Sequence, residues 1–562
     1  MGRVFAMSMR RILIAISTWL ISALLLTCAV KGGLKGGPED KTAPSVVFTF
    51  PQQDSTDVHH LQYIRFSFSE MMDRNSIAKN LFISPPIPFN WSWDGYDELT
   101  IQLKDSLTPD ITYVVTLGTG LKDLRGNGLD QAYTLAFATG SHIDRGEIEG
   151  QVFGLKERES YTVMAYLMDS TRVNPMFFRD TALYISKTGR QGRFRLRNLK
   201  PGLYRVLAVA DANNNLLADI PREKVALPAK DVRVEAATAL MEKLNMRPAV
   251  QDTSLPSIFS IRAINNRQLI VKTSRTLFFD SLSQIQITDS AGGKPLPCYQ
   301  WNRYPGGLAL FTAVQDSGRR YMARFTGLKD SLAQTVPDSS FFFNASAKPF
   351  QIPFRLKKRF PADSARAVHP LDVIRLRFSL PLSQNSRMGL KRALAFLQGR
   401  DTIRYHLRSD SPDRVTLEPL QPLTGDSSYT FSMDTTLIRD GFGRALKDSA
   451  THMVFKVKSD NDFGSLKGRI KTRIPPPYVV TIEPVQGRKQ RRQQRINGPD
   501  FEFRYLEEGQ YKLSAFADRD SNSVFTPGSI KPFRFSEIFH VSRDTVSIRK
   551  RWEKSGIVIP LP

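Results

Sequence analysis

The chain has 562 residues, 41% of them hydrophobic, and carries 79 Lys and Arg against 54 Asp and Glu, a net charge of +25. With only two cysteines, Cys28 and Cys298, it is not a disulfide-stapled scaffold; stability has to come from hydrophobic cores, and the length provides for about four or five domains. The basic balance favours anionic partners: acidic lipid surfaces, polyanions or acidic proteins.

Arg3, Arg10 and Arg11 precede a weakly polar to apolar run, Ile12 to Thr27, that ends at Cys28. A positive n-region followed by a short h-region describes a secretory signal over residues 1–27. The run is shorter than the roughly 20 residues a membrane span needs. Leu25-Leu26-Thr27-Cys28 resembles a bacterial lipobox, with Thr27 standing where the pattern usually has Gly, Ala or Ser. The resemblance implies cleavage before Cys28, acylation of Cys28 and attachment to a membrane through that lipid. An uncleaved anchor helix or a soluble secreted protein cut elsewhere are the alternatives. Ala29 does not look like an inner-membrane retention signal, so the expected location is the outer membrane, with a lean towards the cell surface. Residues 28–41 carry four glycines and Pro38 without periodicity, the composition of a flexible tether.

Beyond the tether, apolar and polar residues alternate and Pro or Gly recurs about every ten residues. That pattern predicts an all-β chain of tandem β-sandwiches. Brief helical patterns interrupt it at Ser386 to Leu397 and Ala236 to Leu244. Five segments are delimited: 42–142, 146–250, 256–346, 352–458 and 463–562.

The first segment opens on Phe50-Pro51. It continues with the strand Ile64 to Ser69, running into Glu70-Met71-Met72-Asp73, then Leu99 to Leu103, Pro109 with Tyr113, and Lys122-Asp123 with Gly126-Asn127. In this order it resembles the bacterial Ig-like domain of S-layer-type and other envelope proteins. The resemblance implies a seven-stranded sandwich with structural or adhesive roles and no catalytic residues. Segment 352–458 repeats Phe50-Pro51 as Phe360-Pro361 and Ile64 to Ser69 as Ile374 to Ser379, both at an offset of 310. There Leu380-Pro381-Leu382-Ser383 replaces the acidic stretch, so Glu70 and Asp73 are expected to be dispensable for the fold. Segment 256–346 is a degenerate third copy, in which Gly327 to Asp330 echoes Gly120 to Asp123.

Segments 146–250 and 463–562 are one module written twice. Phe194, Leu199, Gly202, Tyr204, Ala208 and Asp211 recur as Phe501, Leu506, Gly509, Tyr511, Ala515 and Asp518, an offset of 307. Alternation around a central Gly is the signature of a half-buried hairpin. A positive φ is expected at Gly202 and Gly509, and Tyr204 and Tyr511 should enter the core on the face of Val206 and Leu513. With the Gly-spaced strands Gly146 to Val152 and Gly464 to Ile470, the module resembles the transthyretin-like, carboxypeptidase-regulatory family of β-sandwiches. The resemblance implies a non-catalytic domain.

Each copy ends its hairpin on an Asp/Asn cluster: Asp211, Asn213 and Asn215, and Asp518, Asp520 and Asn522. These are positions 1, 3 and 5 of a calcium loop, whose hard ion takes oxygen ligands. Position 6 holds Leu216 or Ser523 in place of Gly, and the Glu at position 12 is missing, so an Asx-rich turn is the competing reading. No cofactor is expected; calcium at these loops is the one alternative. Trp91 and Trp93 would serve as a platform for a sugar ring if exposed, and as core packing if not. The seven histidines form no zinc spacing, and neither a nucleophile elbow nor a phosphate-binding or dinucleotide Gly-rich loop occurs. Cys298 reads as a buried structural thiol. The run Arg488 to Arg495 lacks interleaved aromatics, so it reads as a solvated hairpin tip and nucleic acid is not an expected partner.

The expected protein is non-catalytic, with no catalytic residue to name: a lipid-anchored scaffold, spacer or binding subunit of a cell envelope. Its expected partners are the membrane, other outer-membrane or envelope proteins, and a glycan or anionic surface. A carbohydrate- or host-surface-binding adhesin using Trp91 and Trp93, and a hydrolase with accessory β domains, are the alternatives. Whether the modules extend in line or fold back on one another is open at this level.

Overall fold

In Tyr63–Phe68 the residues alternate, burying Ile64, Phe66 and Phe68 and turning the residues between them to the other face. This period-2 pattern governs a chain that is nearly all β and folds as tandem β-sandwiches. The computed structural model describes residues 40–562 except 157–158, 170–172, 236–242, 252–253, 279–283, 305, 331–333, 448–450 and 488–489. The signal segment, Cys28, nearly all of the tether, and most of the helical pattern at Ala236 to Leu244 lie outside the described residues. Among the described residues no helix is long and apolar enough to cross a membrane. The described residues form two compact units, one of residues up to 145 with 197–200 and one of residues 146–196 with 201–562.

In the first unit the strands Val46–Phe50, Tyr63–Phe68, Glu98–Leu103 and Phe89–Asp94 form one antiparallel sheet in that order. Leu81–Ser84, Thr112–Leu117 and Tyr133–Ala138 form the second. Between them Ile64, Phe66, Leu99, Ile101, Val115, Leu135 and Phe137 are fully buried. Asp73 caps the short 3-10 turn Arg74–Lys79, its carboxylate accepting from the Asn75 N–H at 3.0 Å. In segment 352–458 Ser383 stands at the same place and caps the helix Gln384–Ala393, accepting from the Ser386 N–H at 3.1 Å. The cap is kept while the residue changes, which explains why Asp73 can be replaced.

In the second unit, segment 256–346 repeats the four-plus-three arrangement, and segment 352–458 repeats the four-stranded sheet against a five-stranded one. The strand Gly307–Thr312 is buried on both faces. Leu308 and Leu310 enter its own core, while Ala309 and Phe311 pack into the core of 352–458. Phe311 lies 6.3 Å from the rings of both Phe350 and Phe442. The helix of 352–458 stops at Ala393 instead of Leu397, because Leu394–Gln398 alternates and pairs with Ser428–Met433. Leu244 likewise belongs to a strand, Lys243–Val250, not to a helix.

Both duplicated modules share a three-stranded order, although in the first copy Lys243–Val250 also pairs with Lys224–Leu227 and joins the strands into one sheet. Phe463–Lys471 pairs antiparallel with Asp500–Glu507 and parallel with Glu553–Pro560; Gly146–Val152 lies in the same way between Arg193–Leu199 and Lys243–Val250. The spaced glycines admit an aromatic ring: a Cβ on Gly150 or Gly468 would lie 2.3 or 2.4 Å from Cζ of Phe194 or Phe501. Tyr204 and Tyr511 are buried with Val206 and Leu513, as expected. Gly509 has φ +149°, but Gly202 is not left-handed, contrary to expectation. The left-handed residues of the hairpins are Asn198 and Tyr505, at φ 58° and 54°, which are again 307 apart. A Cβ on Gly202 would meet only the tip of the half-buried Leu167 side chain, Cδ1 at 2.5 Å, which a small shift of that side chain relieves.

The two copies fold back onto each other. A small hairpin of the last segment, Ser529–Ile530 with Phe533–Arg534, packs Ile530 and Phe533 onto the cluster of Met164, Tyr166, Phe177, Leu207 and Val225. Arg205, 6% exposed, is held by both oxygens of Asp231 at 2.8 and 2.7 Å and donates to Asn174 Oδ1 at 3.0 Å. Its guanidinium stands 4.1 Å from the centre of the Phe533 ring. Ile530 N–H donates to Gln251 Oε1 at 3.1 Å, and Ser536 N–H to Pro228 O at 3.0 Å. Arg247 sits 4.8 and 4.9 Å over Phe525 and Phe539, completing the contact.

Candidate functional site

The loops that follow Gly202–Val209 and Gly509–Ala517 share one backbone course. Asn214 and Leu216 have φ 55° and 60°, and Ser521 and Ser523 have φ 58° and 61°. Position 6 thus adopts the left-handed conformation that a calcium loop reserves for Gly, although it holds Leu216 or Ser523. The first carboxylate closes the turn: Asp211 Oδ1 and Oδ2 accept from the Asn215 and Leu216 N–H, both at 3.2 Å. Asp518 Oδ1 accepts from the Ser523 N–H at 3.1 Å.

A glutamate that local spacing does not reveal completes each loop. Glu223 accepts from the Ala212 and Asp219 N–H at 2.9 and 3.1 Å. Glu537 accepts from the Arg519 and Thr526 N–H at 2.8 and 3.0 Å. In the second copy one oxygen from each of Asp518, Asp520 and Glu537 lies within 4.8 Å of the others. Burial pushes the Glu537 carboxyl upward against those two N–H bonds, and the charges of Asp520 and Asp518 push the same way. Arg495 already offsets part of this charge through Nε at 2.9 Å from the fully buried Asp518. In the first copy the Asn213 and Asn215 side-chain amides donate to Asp219 Oδ2 at 2.7 and 3.0 Å. That loop is tied by its own amides, whereas the second concentrates carboxylates. Asn522 lies among the latter, its amide donating to Asp520 Oδ2 at 2.9 Å.

A buried aspartate recurs in the three sandwiches of the other type: Asp123, Asp330 and Asp440 are 3%, 4% and 0% exposed. Asp330 pairs with Arg275 at 2.9 Å and Asp440 with Arg444 at 2.7 Å. Asp123 instead accepts from the Asn127 side-chain amide at 2.8 Å and lies in a carboxylate group with Asp40 and Glu70. Burial raises the Glu70 carboxyl, and the charges of Asp40 and Asp123 add to the shift.

Trp93 packs on the core of the first segment, 5.8 Å from Phe68, so it is engaged in packing. Trp91 keeps 43% exposure beside Phe89. The structure does not present the two indoles as one open platform. Open clefts of about 460 and 580 Å³ share Val58, His59, His60, Leu61 and Gln62. Cys298 is half-buried against its core, a correction to the buried thiol expected. The basic run is only partly a solvated tip. Arg492 and Arg495 belong to the strand Arg492–Ile496, where Arg492 donates to Tyr505 O at 3.3 Å and Arg495 holds Asp518. His369 joins segments 352–458 and 463–562: its Nδ1 accepts from the Leu371 N–H at 3.1 Å, leaving Nε2–H to donate to Tyr505 O at 2.9 Å. Burial lowers its pKa, consistent with this neutral tautomer.

Residues 40–139 and 351–457 match the family model of the bacterial Ig-like domain. The chain is therefore a tandem β-sandwich protein with two stretches similar to that family. No curated protein matches it. Among solved structures it is similar to L,D-transpeptidase 3 from Mycobacterium tuberculosis, at 13% identity over 20% of this chain and 41% of that one, with a TM-score of 0.15. It is also similar to the N-terminal part of the bacterial S-layer protein SbsC, at 11% identity over 37% and 45% of the two chains, with a TM-score of 0.17. An L,D-transpeptidase from Mycobacterium smegmatis matches at 11% identity over 37% and 90%, with a TM-score of 0.18. The chain spans about two fifths of the length of the first of these relatives.

Proposed function

We propose that this is a non-catalytic, lipid-anchored protein of the bacterial cell envelope, a scaffold or binding subunit docked on an outer-membrane or envelope protein complex. The observation that carries the reading is an apolar leader ending at Cys28 ahead of tandem bacterial Ig-like and duplicated modules. We take the duplicated modules as transthyretin-like; the Gly-spaced strands and the Gly-x-Tyr hairpins written in both copies support that assignment. In the full-length chain Cys28→Ser should move the protein from the membrane to the soluble fraction and abolish fatty-acid labelling. Unchanged membrane retention of the variant, with no acyl mass on the wild type, would overturn the anchor.

The same reading assigns calcium to the second Asp loop, through Asp518, Asp520 and Asn522 with Glu537, and more weakly to Asp211, Asn213 and Asn215. The crowded carboxylates support it, since a hard cation takes several oxygen ligands. Calcium at a hundredfold excess over its Kd should stabilise the chain by about 2.7 kcal/mol relative to chelator. Asp518→Ala with Asp520→Ala should erase that difference. Identical wild-type melting in calcium and in chelator would leave the loop as an Asx turn.

A further inference from the structure

The two bacterial Ig-like stretches share a four-stranded sheet in one register, and this allows their outer faces to be compared position by position. Phe48 pairs with Ser67, Phe50 with Arg65, and Ser67 with Glu98 in the first stretch. Lys358 pairs with Arg377, Phe360 with Arg375, and Arg377 with Arg414 in the second. Ser92 opposite Thr100 becomes Arg408 opposite Thr416. At five matched positions the first face carries Phe48, Arg65, Ser67, Ser92 and Glu98, one cation and one acid. The second carries Lys358, Arg375, Arg377, Arg408 and Arg414, all of them exposed cations.

The fold does not require this charge, because the first stretch builds the same sheet without it. Packing does not reward it either. Lys358, Arg377 and Arg414 stand in one row across three strands, and like charges directly opposite each other destabilise a sheet. Among the described side chains, Asp413 lies 3.4 Å from Arg377 and 3.8 Å from Arg414, and Glu418 lies 3.6 Å from Arg408. Strands about 4.8 Å apart place the row over roughly 10 Å. The face is a sheet surface whose Phe360 ring is covered by Arg375 at 4.5 Å, and His406 stands beside Arg408 on the same side of its strand. A single-stranded polyanion is gripped in a groove or by stacking; a flat array of cations fits a plane of anionic phosphates.

We infer that the outer face of the sheet Leu356–Phe360, Ile374–Phe378, Arg414–Pro419 and Tyr405–Ser411 docks on the phosphate headgroups of an anionic lipid surface. The inference takes its setting from the proposed membrane location but does not depend on the acyl anchor, so it is tested without that anchor. The full-length chain carrying Cys28→Ser should sediment with phosphatidylglycerol-rich vesicles and not with phosphatidylcholine vesicles, and added salt should weaken the binding. Adding Arg377→Ser and Arg414→Glu, the residues of the first stretch at those positions, should weaken binding at least tenfold. Lys272→Ser with Arg324→Glu, an equal charge change at exposed positions in segment 256–346, should change it less than twofold. Failure of the wild-type face to bind the anionic vesicles would overturn the inference, as would equal loss in both variants. Binding to a soluble sulfated polysaccharide but not to vesicles, lost in the first variant, would reassign the face to glycan.

Discussion

Tyr511→Ala should destabilise the last module by roughly 3–5 kcal/mol, the range for a large aromatic removed from a core. Tyr511 is 3% exposed among Leu506, Leu513 and Ile548, and its hydroxyl donates to Glu507 O at 2.7 Å. Tyr511→Phe keeps the ring and loses that bond, at about 1 kcal/mol. Burial pushes the hydroxyl up to about 12, so its contribution is whole below pH ~10 and is lost as the pH rises through the folded value. Because several domains unfold in one chain, the appropriate measurement is native-state hydrogen exchange of the Gly509–Ala517 amides. An exchange free energy unchanged in Tyr511→Ala would remove this side chain from the core.

Arg205→Met should cost roughly 2–4 kcal/mol. That is less than the 3–5 kcal/mol for breaking a fully buried pair, because the Asp231 side chain left behind is 16% exposed. Methionine preserves apolar contact with Phe533 but returns no hydrogen bond to Asp231 or Asn174. The loss should therefore appear both in segment 146–250 and in the hairpin of the last segment that rests on it. Destabilisation confined to 146–250 would mean that the guanidinium does not hold the two copies together.

Much of this architecture is legible in the sequence because its determinants are local. Phe50-Pro51 and the alternating strand at Ile64 recur at Phe360 and Ile374, and it is these stretches that match the bacterial Ig-like model. Tyr204 and Tyr511 follow from period-2 alternation alone. The helix limits were misplaced where Leu394–Gln398 satisfied both a helical and a strand pattern, and pairing with Ser428–Met433 decided between them. Glu223 was not legible because it sits at position 13, one residue beyond the place a calcium loop puts its Glu, and Glu537 because an inserted hairpin separates it from Asp518. That repeat-breaking insertion was the available signal. The fold-back was hidden for a similar reason: the partners of Ile530 and Phe533 lie more than 300 residues earlier in the chain. Arg495 shows that a charge run need not be solvated throughout, since one strand position directs a guanidinium onto a buried carboxylate.

Two copies of one module, far apart in sequence, pack into a single unit instead of hanging as separate beads. Hydrogen exchange of the full-length chain at Ile530 and Ser536 tests this most directly, because each amide donates across the contact, to Gln251 and to Pro228. Both should exchange slowly in the wild type and lose protection in Arg205→Met, while the Tyr63–Phe68 amides remain unchanged. Exchange of Ile530 and Ser536 at the rate of an open loop in the wild type would contradict the account.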